Sequence, residues 1–210
     1  MKLKIFRFNP LQENTYVIYD ENLRGAIVDA GNCDDGENSQ LERFVKGEGI
    51  HIERILCTHL HFDHLMGAGF ASDTFGADIY GNPADWVWLE KFPHYAAAFG
   101  AQKPQTISVR GTLFGGERFQ VGSLEFEVLA LPGHSPGGLG YYMPKEGILF
   151  SGDSLFQGSI GRTDLEGGSY ASLIESLRAR VLTLPDDTLV YPGHGPSTTV
   201  AAEKQYNNYL

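Results

Sequence analysis

The chain predicts a layered α/β protein whose strands deliver chemistry-bearing residues to one shared edge. Three observations predict it. Short apolar, strand-like stretches alternate with helical ones from one end of the chain to the other. No linker or low-complexity segment divides them, so residues 1–210 read as a single domain. His59, His134, Asp153 and His194 each lie just beyond the C-terminal end of an apolar strand. In layered α/β proteins such positions converge in a crevice outside the strand ends.

Taken in order, residues 3–8, 15–19 and 25–29 read as strands joined by short polar turns. Residues 37–46 read as a helix closed by Gly47, and 52–57 as an apolar strand running into His59. A short helix is expected over 65–75 and a strand over 78–80. Residues 124–131 alternate cleanly, Glu125 and Glu127 facing opposite to Leu124, Phe126 and Val128. Residues 147–150 form a wholly apolar strand. Leu173, Leu177 and Val181 give 169–182 a core-facing helical stripe. A strand over 188–191 and a helix over 199–206 complete the set. Gly133, Gly152 and Gly193 precede three of the strand-end residues and would permit sharp turns.

Composition narrows the function. With 26 acidic against 16 basic residues and a net charge of −10, the chain lacks the basic face that a nucleic-acid partner requires. Two cysteines, Cys33 and Cys57, make a disulfide framework unsuitable and point to a reducing compartment. No run approaches the roughly 18 apolar residues of a membrane-spanning helix, and residues 1–8 alternate charged and apolar positions unlike a signal peptide. The expectation is a soluble, cytoplasmic protein.

The most informative feature is histidine placement. Of seven histidines, three fall in His59-Leu60-His61-Phe62-Asp63-His64, and two follow Pro-Gly in Pro132-Gly133-His134 and Pro192-Gly193-His194. Imidazole and carboxylate together suit zinc and related divalent ions. Four such groups within six residues can hardly all serve one tetrahedral ion, so the cluster suggests two ions side by side, a recurring hydrolytic device. His51 and His94 stand outside this pattern and read as surface residues.

Thr58-His59-Leu60-His61-Phe62-Asp63-His64, with His134 in Pro-Gly-His-Ser-Pro-Gly, Asp153 in Phe-Ser-Gly-Asp-Ser-Leu and His194 in Tyr-Pro-Gly-His-Gly-Pro, resembles the metallo-β-lactamase superfamily. The resemblance runs in order from about residue 12 to 205 and is nearest to the glyoxalase II branch of thioester hydrolases. It implies two mixed sheets flanked by helices, a four-layer αββα sandwich. It implies a first ion on His59, His61 and His134, a second on Asp63, His64 and His194, and Asp153 bridging both, with Asp63 and Asp153 as the catalytic carboxylates. Zinc is the leading metal, with iron or manganese as alternatives. The implied reaction is hydrolysis of a small thioester such as S-lactoylglutathione by a hydroxide available at neutral pH. A thiolate leaves with little protonation, which suits a chain without an obvious further acid.

Three other readings are weighed against it. A one-iron persulfide dioxygenase shares the fold, but its last motif typically reads Pro-Ala-His-Asp-Tyr where this chain has Pro192-Gly193-His194-Gly195-Pro196. Lactonases and β-lactamases form the second, although class B1 β-lactamases carry Cys at the position of Asp153. A non-catalytic metal-binding module is the third, and all seven ligand positions being filled disfavours it. Full-length glyoxalase II enzymes add a C-terminal helical extension with basic glutathione contacts, whereas here Lys204 is the basic residue of the tail.

Several residues are expected to be decoys or supports. Gly133-His134-Ser135-Pro136-Gly137 matches a nucleophile elbow, but Pro136 has no N–H for an oxyanion. Cys57 reads as a buried, inert thiol. Arg162, in Gly161-Arg162-Thr163-Asp164, is a substrate-contact candidate or an ion pair with Asp164. The aromatics of 86–99 are core residues or a lid, and Asn14 and Asp29 are expected to support the site.

Overall fold

A computed structural model describes residues 1–99 and 107–210. It contains two six-stranded sheets. The first begins with β1 (Lys2–Phe8), β2 (Glu13–Tyr19) and β3 (Arg24–Val28), an antiparallel meander. Helix α1 (Asp35–Glu48) then crosses to β4 (His51–Leu56). Helices α2 (Phe62–Leu65) and α3 (Ala68–Phe75) lead to β5 (Asp78–Gly81), and α4 (Trp86–Ala98) precedes β6 (Val109–Thr112). Strands β3 to β6 run parallel, as helical crossovers require.

The second sheet comprises β7 (Arg118–Val121), β8 (Leu124–Ala130), β9 (Leu139–Met143), β10 (Ile148–Gly152), β13 (Leu189–Pro192) and β14 (Thr198–Thr199). A two-stranded ribbon, β11 (Leu155–Phe156) with β12 (Ser159–Ile160), leaves β10. Helices α5 (Tyr170–Ser176) and α6 (Val200–Tyr206) follow. Antiparallel pairing holds throughout this sheet except between β10 and β13, which are parallel.

Alternation along the strands builds the layers. Tyr16, Ile18 and Val28 of the first sheet share one buried cluster with Phe126, Val128, Tyr141 and Phe150 of the second. Their neighbours Val17, Ile27 and Ile55 face outward onto Leu41 and Val45 of α1. On the far side, Leu129, Leu149 and Val190 pack on Leu173 and Leu177. Three apolar layers thus separate four structural ones, the expected αββα arrangement. Among the described residues no helix is long and apolar enough to cross a membrane.

Several element boundaries differ from expectation. Gly47 lies inside α1; the helix ends at Gly49, whose φ of 72° lets its N–H return to the Lys46 carbonyl. The helix expected over 65–75 is two helices broken at Met66–Gly67, where the Gly67 N–H bonds to the Ala30 carbonyl and a Cβ would strike Asn32. The helix over 169–182 begins at Tyr170, capped by Ser169, and its last part, Leu177–Val181, is a π-turn. Strands β6, β7, β9, β11, β12 and β14 and helix α4 had no clear signal. Strand β9 is buried on both faces and shows no alternation, and α4 carries Pro93 in its interior.

Candidate metal centre

Strands β8, β10 and β13 point the same way, so the residues that follow them, His134, Asp153 and His194, emerge at one edge. The loop after β4 brings His59 to the same place, held there by the Leu139 N–H on the Thr58 carbonyl at 2.7 Å. Backbone conformation shapes two of these turns. Gly133 has φ of 136° and Gly152 has φ of 51°, both in the glycine-favoured region. Gly193 differs from its expected role. Its φ is ordinary, but a Cβ there would lie 2.2 Å from Asp153 Oδ1 and 2.5 Å from His64 Cε1. It is glycine because the site needs the space.

Asp29, at the end of β3, supports the histidine loop. Its Oδ1 accepts the Thr58 N–H at 2.7 Å, and its Oδ2 accepts the Thr58 hydroxyl at 2.7 Å and His64 Nδ1 at 2.9 Å. Asn14 holds the last loop by donating to the Pro192 and Gly195 carbonyls. Both are supports, as expected.

Four rings are oriented by the same device. His134 Nδ1 donates to the Arg162 carbonyl at 2.8 Å, and His194 Nδ1 to the Leu11 carbonyl at 3.1 Å. His64 Nδ1 donates to Asp29, and His59 Nδ1 to the Thr58 hydroxyl at 3.1 Å, which already gives its own proton to Asp29. In its neutral tautomer each ring would therefore present an unprotonated Nε2 to an ion at the centre. His134 Nε2 meets His61 Nδ1 there at 2.9 Å.

The residues fit divalent ions. His59 Nε2, His64 Nε2 and Asp153 Oδ1 are buried without a hydrogen-bond partner among the described residues, a costly state unless something else meets them. Ligand atoms of His59, His61 and His134 lie within 4.8 Å of one another, as do those of Asp63, His64 and His194. Asp153 stands between the two groups. Its Oδ1 is 3.4 Å from His64 Nε2, and its Oδ2 is 3.8 Å from His134 Nε2 and 3.7 Å from His194 Nε2. Asp63 Oδ2 lies 3.1 Å from His194 Nε2.

The electrostatics favour a cation. Burial, then the neighbouring His134, pushes His61 down to about 3. Burial and the surrounding imidazoles also hold His59 well below the usual histidine range. His64 goes the other way. Burial opposes its charge, but the carboxylates of Asp63, Asp153 and Asp29 outweigh that. Burial likewise opposes ionisation of Asp153, and His64 chiefly overcomes it, leaving the carboxyl below its ordinary value. Positive charge is thus stabilised beside Asp153 and Asp63.

The other expectations fall into place. The Ser135 hydroxyl donates to Asp85 and is fully buried, which removes it as a nucleophile. Burial raises the Cys57 thiol well above its usual range. His51 and His94 are exposed. Arg162 forms the forked pair with Asp164, at 2.7 and 2.8 Å, while lining a cavity of ≈280 Å³ in front of the ligands. Trp88, Tyr95 and Phe99 of the aromatic stretch face that cavity, Phe92 enters the core and Trp86 is exposed.

One residue escaped the sequence reading. Asp85 is completely buried. Its Oδ2 accepts the Leu60 N–H, between His59 and His61, and its Oδ1 the Gly137 N–H, just past His134. In the sequence it is an aspartate in a Pro-containing turn, with no local mark of this role.

The family model of the metallo-beta-lactamase superfamily matches residues 8–194. The chain belongs to that superfamily and has its fold, and with it the capacity to bind divalent metal. It is 35% identical over 212 residues to the hydroxyacylglutathione hydrolase GloC of Haemophilus influenzae, covering 100% of this chain and 98% of that protein. This agrees with the glyoxalase II-like branch. The crystal structure of BLEG-1 B3 metallo-beta-lactamase superposes with a TM-score of 0.89 at 37% identity, covering 100% of this chain and 99% of that one. That of TTHA1623 in a di-iron-bound form gives 0.86 at 38% identity, covering 99% and 100%.

Proposed function

We propose that the chain is a single-domain, two-metal hydrolase of small thioesters such as S-lactoylglutathione, working in the reducing cytoplasm. The observation that carries the two-metal part is the position of Asp153, one carboxylate within 3.4–3.8 Å of histidines from both ligand groups. His59, His61 and His134 would hold one ion and Asp63, His64 and His194 the other, with Asp153 shared. Two cations side by side repel, and a carboxylate between them offsets that repulsion. Zinc suits the donor set, and the similarity to a di-iron-bound protein supports iron as the alternative. When bound, such ions supply Lewis-acid charge stabilisation and lower the pKa of water toward 7.

The chain's own residues do the rest. The Nδ1–H donors of His59, His64, His134 and His194 keep their rings aimed at the centre. Asp63, at the cavity floor, orients the attacking water, whose proton leaves to solvent. The water oxygen bonds to the thioester carbonyl carbon, the C–S bond breaks, and carboxylate, thiol and one proton result. The thiolate needs little protonation to depart. His51 and His94 are exposed and belong to none of the candidate ligand groups among the described residues. The reading therefore favours a thioester over an amide.

Hydrolysis of S-lactoylglutathione by metallated protein, before and after chelation, tests this. Turnover that chelation abolishes and zinc or iron restores is expected. Absence of turnover by protein with two ions per chain overturns it. Oxygen uptake with glutathione persulfide, or opening of a β-lactam or lactone ring, would then identify the rival.

A further inference from the structure

The cavity in front of the candidate ligands is built unevenly. Its floor is polar, made by His61, Asp63, His134 and Asp153. Its walls are not. Phe62, Trp88, Tyr95 and Phe99 form one side and Leu11 and Leu165 another. The aromatic side is a packed surface. Phe62 stacks on Tyr95 at 5.7 Å and tilts against Phe99 at 4.7 Å, and Trp88 stands edge-on to the His61 ring at 4.5 Å. Tyr95 and Phe99 nonetheless stay 37% and 40% exposed, so this surface is open to a ligand.

Charge is scarce on those walls. Among the described residues the cation lining the cavity is Arg162, and Asp164 already engages its guanidinium through two hydrogen bonds. An anionic limb would find that charge neutralised. Size adds a second constraint. Pockets that enclose a whole small-molecule ligand run from about 300 to 1,000 Å³, and this one is ≈280 Å³. It lies at the small end of that range and suits a compact acyl group.

From the largely apolar walls, the paired cation and the volume, we infer that this cavity is an acyl pocket selecting thioesters of compact apolar acids over those of charged acids. The inference rests on the thioesterase reading above. The acyl chain lies along Tyr95 and Phe99 with its carbonyl carbon over the floor, and the thiol limb extends toward solvent. A carboxylate placed against that wall loses water without gaining a free cation among the described residues. Hydrolysis remains the same balanced step: C–O forms, C–S breaks, and the products are the apolar carboxylate, the thiol and a proton.

The test uses the metallated protein and S-acetyl, S-butanoyl, S-hexanoyl and S-succinyl N-acetylcysteamine. One neutral thiol is common to all, and lengthening the chain scarcely alters the carbonyl. Each methylene that leaves water for the wall should raise kcat/KM by about fourfold, up to the capacity of the cavity. The butanoyl ester should exceed the succinyl one, of equal chain length, by at least about tenfold. Tyr95→Ser and Phe99→Ser should flatten the slope of the series more than they lower its first member. A flat series, or preference for succinyl, overturns the acyl pocket while leaving the thioesterase intact. Failure to cleave any member would remove the thioesterase reading, and the acyl pocket with it.

Discussion

Asp85 Oδ2 accepts the Ser135 hydroxyl at 2.8 Å, fastening α4 to the loop that carries His134. The same carboxylate holds the Leu60 N–H at 3.2 Å and the Gly137 N–H at 2.5 Å. One buried side chain therefore sets the spacing of two ligand loops that are distant in sequence. Asp85→Ala would strand three buried donors at about 1–3 kcal/mol each. The expected result is a markedly lower melting temperature and about 10- to 100-fold weaker metal binding. Asp85→Asn keeps an acceptor for Leu60 and Ser135 but opposes an N–H to Gly137, so it should fall between. Metal titration of both variants checks this, and wild-type affinity in Asp85→Ala would refute it.

Metal should be worth several kcal/mol of folding stability. An ion that binds the folded state alone stabilises it by about 4 kcal/mol at a thousandfold excess over Kd. For a chain of this size that corresponds to roughly 8–16 °C in Tm. Chelation should lower Tm by that order, and melting curves that coincide with and without chelator would count against the site. Asp153→Ala should reduce bound metal below one ion per chain, because both groups share that carboxylate. His51→Ala, on the exposed start of β4, should retain full metal content and turnover.

Two glycines should respond oppositely to alanine. At Gly193 a methyl would collide with Asp153 and His64, so Gly193→Ala should displace both and lose metal, with about 1–3 kcal/mol of stability. Gly47 lies in α1 and a Cβ there meets nothing within 4 Å. Gly47→Ala should stabilise by roughly 0.5–1 kcal/mol, since glycine gives up more backbone freedom in a helix. Urea unfolding and metal analysis of the pair separate the local effect from the site effect.

The candidate ligands were legible because their signal is local. Four of the seven sit within six residues, and the other three follow strands with clear apolar runs. The layered fold was legible for the same reason, from strands such as β8 whose faces differ in polarity. What stayed hidden depends on contacts between distant segments. Asp85 acts on Leu60 and Gly137, 25 and 52 residues away. Strand β9 is buried along its whole length, so period-two alternation is absent. Gly193 looked like a turn residue, and only the approach of Asp153 and His64 explains it.

The two sheets are also joined by a buried hydrogen bond whose removal is a clean test of the sandwich. Tyr141, on β9, reaches across to donate its hydroxyl to the Cys57 carbonyl at 2.7 Å, directly behind the histidine loop. Neither residue touches solvent. Tyr141→Phe keeps the ring and its packing against the inter-sheet core but leaves the Cys57 carbonyl without this donor. A buried hydrogen bond contributes about 0.5–1.5 kcal/mol, and stranding its acceptor raises the loss toward 1–3 kcal/mol. The urea midpoint should fall accordingly, with an unchanged m-value because the same surface is exposed on unfolding. His59 begins only two residues beyond Cys57, so metal affinity should weaken modestly as well. An unaltered midpoint would mean that the carbonyl finds another donor and that this link between the sheets is dispensable.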